Sequence, residues 1–176
     1  MKIKQPRRHL RHMLCFLAAL FVAPFLLSIA AIGSPQFQTG DQITVGAQEV
    51  IEDNFYAAGD RVTLDGTIKG NVFAKGDIVD LTGTIENDVY LAGETITIDG
   101  TVKGDAILAG ELITINGSVE GDLVAAGQSI VVNGTVKDDA RIAGESLLLM
   151  DNAQVTDDVI AAGFSLESRP QSKNWR

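Results

Sequence analysis

A spacing of seventeen residues between glycines is the strongest constraint on what this chain can fold into. One series consists of Gly59, Gly76, Gly93, Gly110, Gly127 and Gly144, and a second series with the same spacing consists of Gly66, Gly83, Gly100, Gly117 and Gly134. At each end of the first series the spacing widens to nineteen, from Gly40 to Gly59 and from Gly144 to Gly163. A fixed period over most of a chain is typical of stacked-repeat proteins, whose terminal repeats differ from the inner ones.

Five positions of the repeat carry apolar residues in every copy. The columns are Phe55, Val72, Val89, Ala106, Leu123, Ala140 and Val159; Ala57, Ala74, Leu91, Leu108, Ala125, Ile142 and Ala161; Val62, Val79, Ile96, Ile113, Ile130 and Leu147; Leu64, Leu81, Ile98, Ile115, Val132 and Leu149; and Ile51, Ile68, Ile85, Val102, Val119, Val136 and Val155. The first two columns lie two residues apart, as do the third and fourth, which is the period of a strand and not of a helix. Turn-forming Gly, Asn, Asp and Thr fall between them, so each repeat contains short strands.

The pattern predicts an all-β fold, a single-stranded parallel β-helix with about seven coils of 17 residues. Each coil is expected to have three short strands and three corners, with alternate residues turned inward. Coils stacked about 4.8 Å apart supply each other with hydrogen-bond partners and bury the inward columns. We assign residues 50–167 to the β-helix, 34–49 to an N-terminal linker or cap, and 168–176 to a short basic polar tail.

One outward column supports this register independently of hydrophobicity, because its charges alternate in sign at successive coils. Its members are Glu52, Lys69, Glu86, Lys103, Glu120 and Lys137. In stacked strands, opposite charges that face each other are stabilising and like charges are destabilising. A slip of the stack by one coil would therefore be penalised.

Residues 1–33 are predicted to be a targeting segment. A basic stretch, with Lys2, Lys4, Arg7, Arg8 and Arg11, precedes an apolar run over residues 13–32 that is expected to form an N-terminal apolar helix. The run fits a signal peptide cleaved near Gly33, and its length also fits a retained anchor in the inner membrane. Both interpretations remain open, and both predict that the rest of the chain is extracytoplasmic, in the periplasm or cell envelope.

Charge and composition exclude several classes of function. From Asp41 to Glu167 the chain has all 23 of its Asp and Glu residues but only six of its Lys and Arg residues, and such an anionic surface repels nucleic acids. Both histidines, His9 and His12, precede the repeats, and Cys15 is the only cysteine. Catalytic triads, disulfides and cysteine zinc sites are thus excluded from the repeat region. We expect no enzyme activity and no cofactor.

Two outward columns are candidates for a functional site. An apolar column between two inward ones contains Tyr56, Phe73, Tyr90, Ile107, Val124 and Ile160, and Arg141 in the same column indicates that it faces out. Such a column is either a contact surface for self-association or a partner, or a ladder that only stabilises the stack. A corner column contains Asn54, Asn71, Asp88, Asp105, Asp122, Asp139 and Asp158. Of these, Asp88, Asp105, Asp122 and Asp139 are weak candidates for divalent metal ligands, and the simpler interpretation is that they bind backbone amides at the corner.

The recurring units GTIKGNVFAKGDIV, GTVKGDAILAGELI and GTVKDDARIAGESL resemble the bactofilins, a family of polymer-forming bacterial cytoskeletal proteins. The resemblance covers roughly residues 50–166. It implies a right-handed β-helix that polymerises end to end without nucleotide, associates with the membrane and positions envelope proteins. The targeting segment is a departure from typical members, which are cytoplasmic.

These observations predict a non-enzymatic extracytoplasmic structural or scaffold protein that associates with the membrane or envelope. It is expected to self-associate through the ends of the β-helix, whose backbone edges are templates for pairing, and through the exposed apolar column. Its partners would be itself, and in addition membrane or cell-envelope proteins or polysaccharide. The alternative is an envelope binding module for polysaccharide or for a partner protein.

Overall fold

The computed structural model of the chain describes residues 36–168, which form eighteen β-strands. The strands are β1 Gln36–Thr39, β2 Gln42–Val45, β3 Val50–Ile51, β4 Phe55–Ala58, β5 Arg61–Leu64, β6 Thr67–Ile68, β7 Val72–Lys75, β8 Ile78–Leu81, β9 Thr84–Ile85, β10 Val89–Ile98, β11 Thr101–Val102, β12 Ala106–Ile115, β13 Ser118–Val119, β14 Leu123–Val132, β15 Thr135–Val136, β16 Ala140–Leu149, β17 Gln154–Val155 and β18 Val159–Ser168. The expected apolar helix at residues 13–32 lies outside this range. Within residues 36–168, no helix is long and apolar enough to cross a membrane.

The strands stack in parallel as the repeat predicts. One sheet follows the order β1-β4-β7-β10-β12-β14-β16-β18 and also includes β2, β5 and β8, and a second sheet runs β17-β15-β13-β11-β9-β6-β3. Residues seventeen apart are direct partners, as in Leu64 with Leu81 and Ile96 with Ile113. The all-β parallel β-helix is therefore confirmed. It has about eight turns, where the sequence predicts about seven.

The additional turn comes from residues for which the sequence predicts a linker or cap. Strands β1 and β2 fall within residues 34–49 and pair with β4 and β5, with partners nineteen residues apart. Ile43 and Val45 of β2 are buried above Val62 and Leu64. The wider spacing is accommodated as a longer first turn of the same stack.

The number of strands in each turn differs from the predicted three. The early turns have three strands, but from β10 onward the first two merge into one ten-residue strand that passes through a glycine. The separate strands are joined by Gly-Asp, at Gly59-Asp60 and Gly76-Asp77, whereas β10 and β12 contain Gly-Glu at Gly93-Glu94 and at the equivalent step of the next turn. Aspartate binds nearby backbone groups and favours a turn, which longer acidic side chains do less readily.

The interior consists of the five predicted apolar columns, and it contains no buried polar or charged side chain among the described residues. The large aliphatic members, such as Ile96, Ile98, Ile113 and Ile115, are fully buried. Backbone hydrogen bonds between turns continue around the corners, as from the amide of Thr101 to the carbonyl of Gly83 at 2.9 Å. Each turn thus depends on its neighbours both for its backbone partners and for its apolar contacts.

The second glycine series is required by the close approach of successive turns at one corner. A Cβ added to Gly100 or Gly117 would overlap the carbonyl oxygen of the glycine directly before it in the column, Gly83 or Gly100. Neither glycine has a positive φ, so the need is for space and not for a special backbone conformation. These close contacts between glycines seventeen residues apart therefore explain why the second glycine series has a period of seventeen.

The alternating charged column forms ion pairs between neighbouring turns. The pairs are Glu52 with Lys69 at 2.8 Å, Glu86 with Lys103 at 3.5 Å, and Glu120 with Lys137 at 2.7 Å. A hydrogen bond from Lys137, together with its charge, lowers the pKa of Glu120. Because the pKa is lower in the folded state, the stabilisation by Glu120 is present at neutral pH and is lost as the pH falls through that lowered value.

Candidate functional site

The outward apolar column forms a continuous line along one side of the β-helix. We call it the stripe, and it consists of Phe37, Tyr56, Phe73, Tyr90, Ile107, Val124 and Ile160. Its members are half-buried or exposed, although they lie between inward residues of the same strands. Alanines form the next outward column, with Ala92, Ala109 and Ala126 in the middle turns. The stripe and the alanines together give an apolar face two columns wide.

Three aromatic rings of the stripe are stacked face to face. The ring centroids of Tyr56 and Phe73 are 5.0 Å apart, those of Phe73 and Tyr90 are 4.7 Å apart, and the planes are within 6° of parallel. The rings succeed one another turn by turn, so Phe73 has both faces covered, and Tyr56 and Tyr90 each have one face covered. Sugar rings bind to the open faces of aromatic side chains, which this stack does not offer along most of its length.

The stripe contains one residue that the sequence analysis missed. Phe37 pairs with Tyr56 and is 72% exposed, which makes it one of the most exposed apolar residues of the described chain. It lies nineteen residues before Tyr56, so a search at a period of seventeen does not find it. The spacing of nineteen between Gly40 and Gly59 was the signal that could have located it.

The corner column of Asn and Asp residues uses its side chains to hold the turns together. One side-chain oxygen, Oδ1, accepts a hydrogen bond from the backbone amide of the equivalent residue in the next turn. These bonds join Asn54 to Asn71 at 2.8 Å, Asn71 to Asp88 at 3.2 Å, Asp88 to Asp105 at 3.0 Å, Asp105 to Asp122 at 2.9 Å, Asp122 to Asp139 at 3.2 Å, and Asp139 to Asp158 at 3.0 Å. Asparagine and aspartate both accept in this way, so the corner does not require charge.

Arg141 covers the corner column at one place. It is the single basic residue in the line of the stripe, and its guanidinium donates to Oδ2 of Asp122 and to Oδ2 of Asp139, both at 2.6 Å. Asp138 lies beside this pair, and the carboxylate oxygens of Asp122, Asp138 and Asp139 are within 4.8 Å of one another. Hard divalent cations favour such oxygens, but two of the three carboxylates already bind the guanidinium of Arg141. The other weak metal candidates, Asp88 and Asp105, do not belong to this group.

Replacing Asp138 with Asn is expected to stabilise the protein at neutral pH. Desolvation raises the pKa of Asp138, and so do the charges of Asp122, Asp139 and Asp157. A raised pKa in the folded state means that the ionised carboxyl is destabilising, and that stability is regained as the pH falls through this pKa. We expect Asp138→Asn to raise the Tm at pH 7 by about 1 °C, and this gain to shrink toward pH 4.

The control for this prediction is Glu111→Gln, which removes one charge from an exposed residue of β12 that belongs to none of the ion pairs among the described residues. A gain in Tm of equal size and equal pH dependence in Glu111→Gln would show that net charge is responsible and not the environment of Asp138. Thermal melts of both variants followed by circular dichroism at several pH values separate the two cases.

Within the described residues, the last turn of the stack exposes apolar side chains at its C-terminal end. Val159 and Leu166 of β18 occupy inward columns but are 44% and 61% exposed, whereas their partners one turn earlier, Ala140 and Leu147, are 2% and 1% exposed. β18 is the last strand of its sheet, so one edge of its backbone pairs with no other strand in the described chain. The opposite end differs, because β1 places Gln36 and Gln38 at the inward positions above Phe55 and Ala57.

Comparison with protein-family models, with curated proteins and with solved structures finds no match to this chain. The interpretation of the stripe and of the open end therefore depends on their own geometry.

Proposed function

We propose that the protein is a non-enzymatic structural or scaffold protein that self-associates through the ends of its β-helix and uses the stripe as a lateral contact surface. The observation that carries the proposal is the C-terminal end of the stack over residues 36–168, where inward apolar side chains and a strand edge are exposed together. Burying this end against another chain would add both apolar contacts and backbone hydrogen bonds. The resemblance to the bactofilins leads to the same proposal, with a right-handed coil as a further expectation.

The location that we propose is extracytoplasmic, in the periplasm or cell envelope. It is based on the sequence of residues 1–33, in which a basic stretch precedes an apolar run. The segment acts either as a cleaved signal peptide or as a membrane anchor, and N-terminal sequencing of the protein purified from cells distinguishes the two.

The alternative function, binding of polysaccharide, receives less support from the geometry. The aromatic residues Tyr56, Phe73 and Tyr90 are the obvious platform for sugars, but most of their ring faces are covered by one another. No histidine lies in the described part of the chain, which also disfavours the acyltransferases that use a β-helix with a catalytic histidine. A scaffold function needs neither a sugar platform nor a catalytic group.

The test of end-to-end association is Leu166→Lys in the full-length protein, purified in a non-ionic detergent and imaged by negative-stain electron microscopy. Lysine at this position places a charge on the surface that a second chain would cover, so we expect filaments or chains of particles to be lost, while the β-type circular dichroism is retained because Leu166 is already 61% exposed.

Ile160→Lys is a matched control, since Ile160 lies on the same strand and is 62% exposed but points to the side. Filaments should persist in Ile160→Lys. Wild-type protein that stays as separate particles, or filaments that survive Leu166→Lys, would contradict the proposal. Loss of filaments in Ile160→Lys alone would assign assembly to the stripe and not to the end.

A further inference from the structure

The apolar face is bordered by acidic residues on both of its long edges. On one edge lies the corner column, which is carboxylate from Asp88 to Asp158. On the other edge, one residue past the first glycine series, lies a second acidic column that the sequence analysis did not identify. Its members are Asp60, Asp77, Glu94, Glu111 and Glu145, with Gln128 at one turn, and all are exposed. None of the ion pairs among residues 36–168 involves this second column.

We infer that this face binds a basic amphipathic α-helix of a partner protein, one whose apolar side is flanked by Lys and Arg on both sides. The inference rests on the proposal that the stripe is a contact surface, and it names the partner. The apolar columns match the apolar side of such a helix, and the two acidic borders match its basic flanks.

A second copy of this chain is a poor occupant because both borders carry the same sign. In any face-to-face arrangement of two copies, parallel or antiparallel, each acidic border is placed against an acidic border. Like charges brought together in this way oppose association. The face itself has two basic residues among the described ones, Lys75 and Arg141, and Arg141 is already neutralised by Asp122 and Asp139.

Arg141 shows how a basic group of a partner would be held. Its side chain starts from the line of the stripe and lines a shallow apolar groove with Val124, Ala126 and Ile160. Its guanidinium binds two successive carboxylates of the corner column, Asp122 and Asp139. The corresponding positions in the preceding turns are Ile107 and Val124, which have no charge. Among residues 36–168, Asp88 and Asp105 therefore form no ion pair with a basic side chain, and Oδ1 of each accepts a hydrogen bond from the backbone.

The dimensions of the face fit a helix that lies along the stack. From Asp105 to Glu111 there are six residues of extended chain, so the two borders are about 20 Å apart. An α-helix with its side chains is about 10–12 Å across, which leaves roughly 4 Å on each side for the ends of long basic side chains. The stripe from Phe37 to Ile160 spans seven steps, about 34 Å, which a helix of about 20 residues follows for most of its length.

An extended strand fits less well. A strand lying on the face directs only every second side chain toward it, in a single line. Its basic residues would reach one border and not both. A helix projects its flanking residues to both sides of its apolar side, as the face requires.

The test uses the full-length protein in a non-ionic detergent and three fluorescein-labelled 20-residue helical peptides. The first peptide has a Leu and Ala side flanked by Lys, the second has Glu in place of Lys, and the third keeps Lys but has Ser in place of Leu. We expect the first to bind most tightly by fluorescence anisotropy, and its binding to weaken with added salt. A carbodiimide that couples amines to carboxylates in contact should link its lysines to Glu94 and Glu111, as identified by mass spectrometry.

Two double variants test whether the acidic border contributes to binding. Both are measured in the same detergent, so that any signal from peptide bound to micelles is the same in each measurement. Glu94→Gln with Glu111→Gln should weaken binding of the first peptide about tenfold. The control, Asp65→Asn with Asp99→Asn, removes the same charge from a different corner, where asparagine can still accept the hydrogen bonds from Thr82 and Asn116. It should change the affinity less than twofold.

Equal weakening by both variants, equal binding of the Glu-flanked peptide, or no binding of the Lys-flanked peptide would overturn the inference. Sedimentation of the protein alone tests whether a second copy of the chain occupies this face. Such a copy would give a lateral dimer, and the double variant Tyr90→Ser with Val124→Ser would dissociate it. Electron microscopy of the same samples keeps the two proposals apart. If filaments persist but the peptide does not bind, the proposal of end-to-end association stands and only the proposal of a helical partner is refuted.

Discussion

Replacing Ile115 with Asp is expected to prevent folding. Ile115 is fully buried in a column that runs from Val45 to Leu149, and the described interior contains no polar group that could pair with a carboxylate. Burial of an unpaired charge costs more than about 5 kcal/mol, which is comparable to the whole stability of an ordinary domain. The thermal transition followed by circular dichroism should be lost, and not merely shifted.

Thr114→Asp is the matched control for this change. Thr114 is the neighbouring residue on β12 and faces outward, and the same column already contains an aspartate at Asp80, which forms an ion pair with Arg61 at 2.9 Å. We expect a Tm within about 2 °C of the wild type. A cooperative transition near the wild-type temperature in Ile115→Asp would show that the inward assignment of this column is wrong.

Replacing Gly117 with Ala is expected to be strongly destabilising, although it adds a single methyl group. The new Cβ would overlap the carbonyl oxygen of Gly100, and that oxygen accepts a hydrogen bond from the amide of Ser118 at 3.0 Å. Backbone on both turns must move to relieve the overlap, so a bond between turns is strained. Overpacking of this kind costs about 3 kcal/mol, or about 6–12 °C in Tm for a chain of this size.

Gly46→Ala provides the comparison, since a Cβ at Gly46 would meet no atom within 4 Å. Here the loss of freedom in the unfolded chain should leave the protein unchanged or more stable by about 0.4–1 kcal/mol. Urea unfolding of the two alanine variants tests the pair. Similar midpoints in both would mean that the second glycine series is not set by the approach of neighbouring turns.

The sequence predicted the stacking well because the repeat itself encodes it. Once residues seventeen apart are neighbours, the inward columns, the ion pairs such as Glu52 with Lys69, and the outward position of Tyr90 all follow. The same reasoning failed where the period changes. Phe37 and the first turn were missed because their partners lie nineteen residues away, and the inward positions there are occupied by Gln36 and Gln38 rather than by apolar residues.

The candidate site was predicted less completely than the fold. The stripe could be found because alternation within a strand shows which residues face outward. Its second acidic border could not be connected to it in the same way, since Glu94 and Glu111 follow glycines at which a corner was expected. In the structure Glu94 and Glu111 lie two residues beyond the outward Ala92 and Ala109, and the alternation of buried residues changes phase just after them. The chain therefore bends after the acids and leaves them at the edge of the apolar face. The exact position of the corner thus determines which residues border the apolar face.

The charged column alternates in sign from turn to turn, so its pattern repeats every two turns, whereas the hydrophobic columns repeat every turn. Its ion pairs join Glu52 to Lys69, Glu86 to Lys103, and Glu120 to Lys137. For apolar packing, any whole number of 17-residue units can be gained or lost. Removal of one unit, however, sets two like charges one above the other, whereas removal of two restores the alternation. Changes in the length of such a chain over evolution should therefore be easiest in steps of 34 residues, with a pair of turns as the unit that is duplicated or deleted.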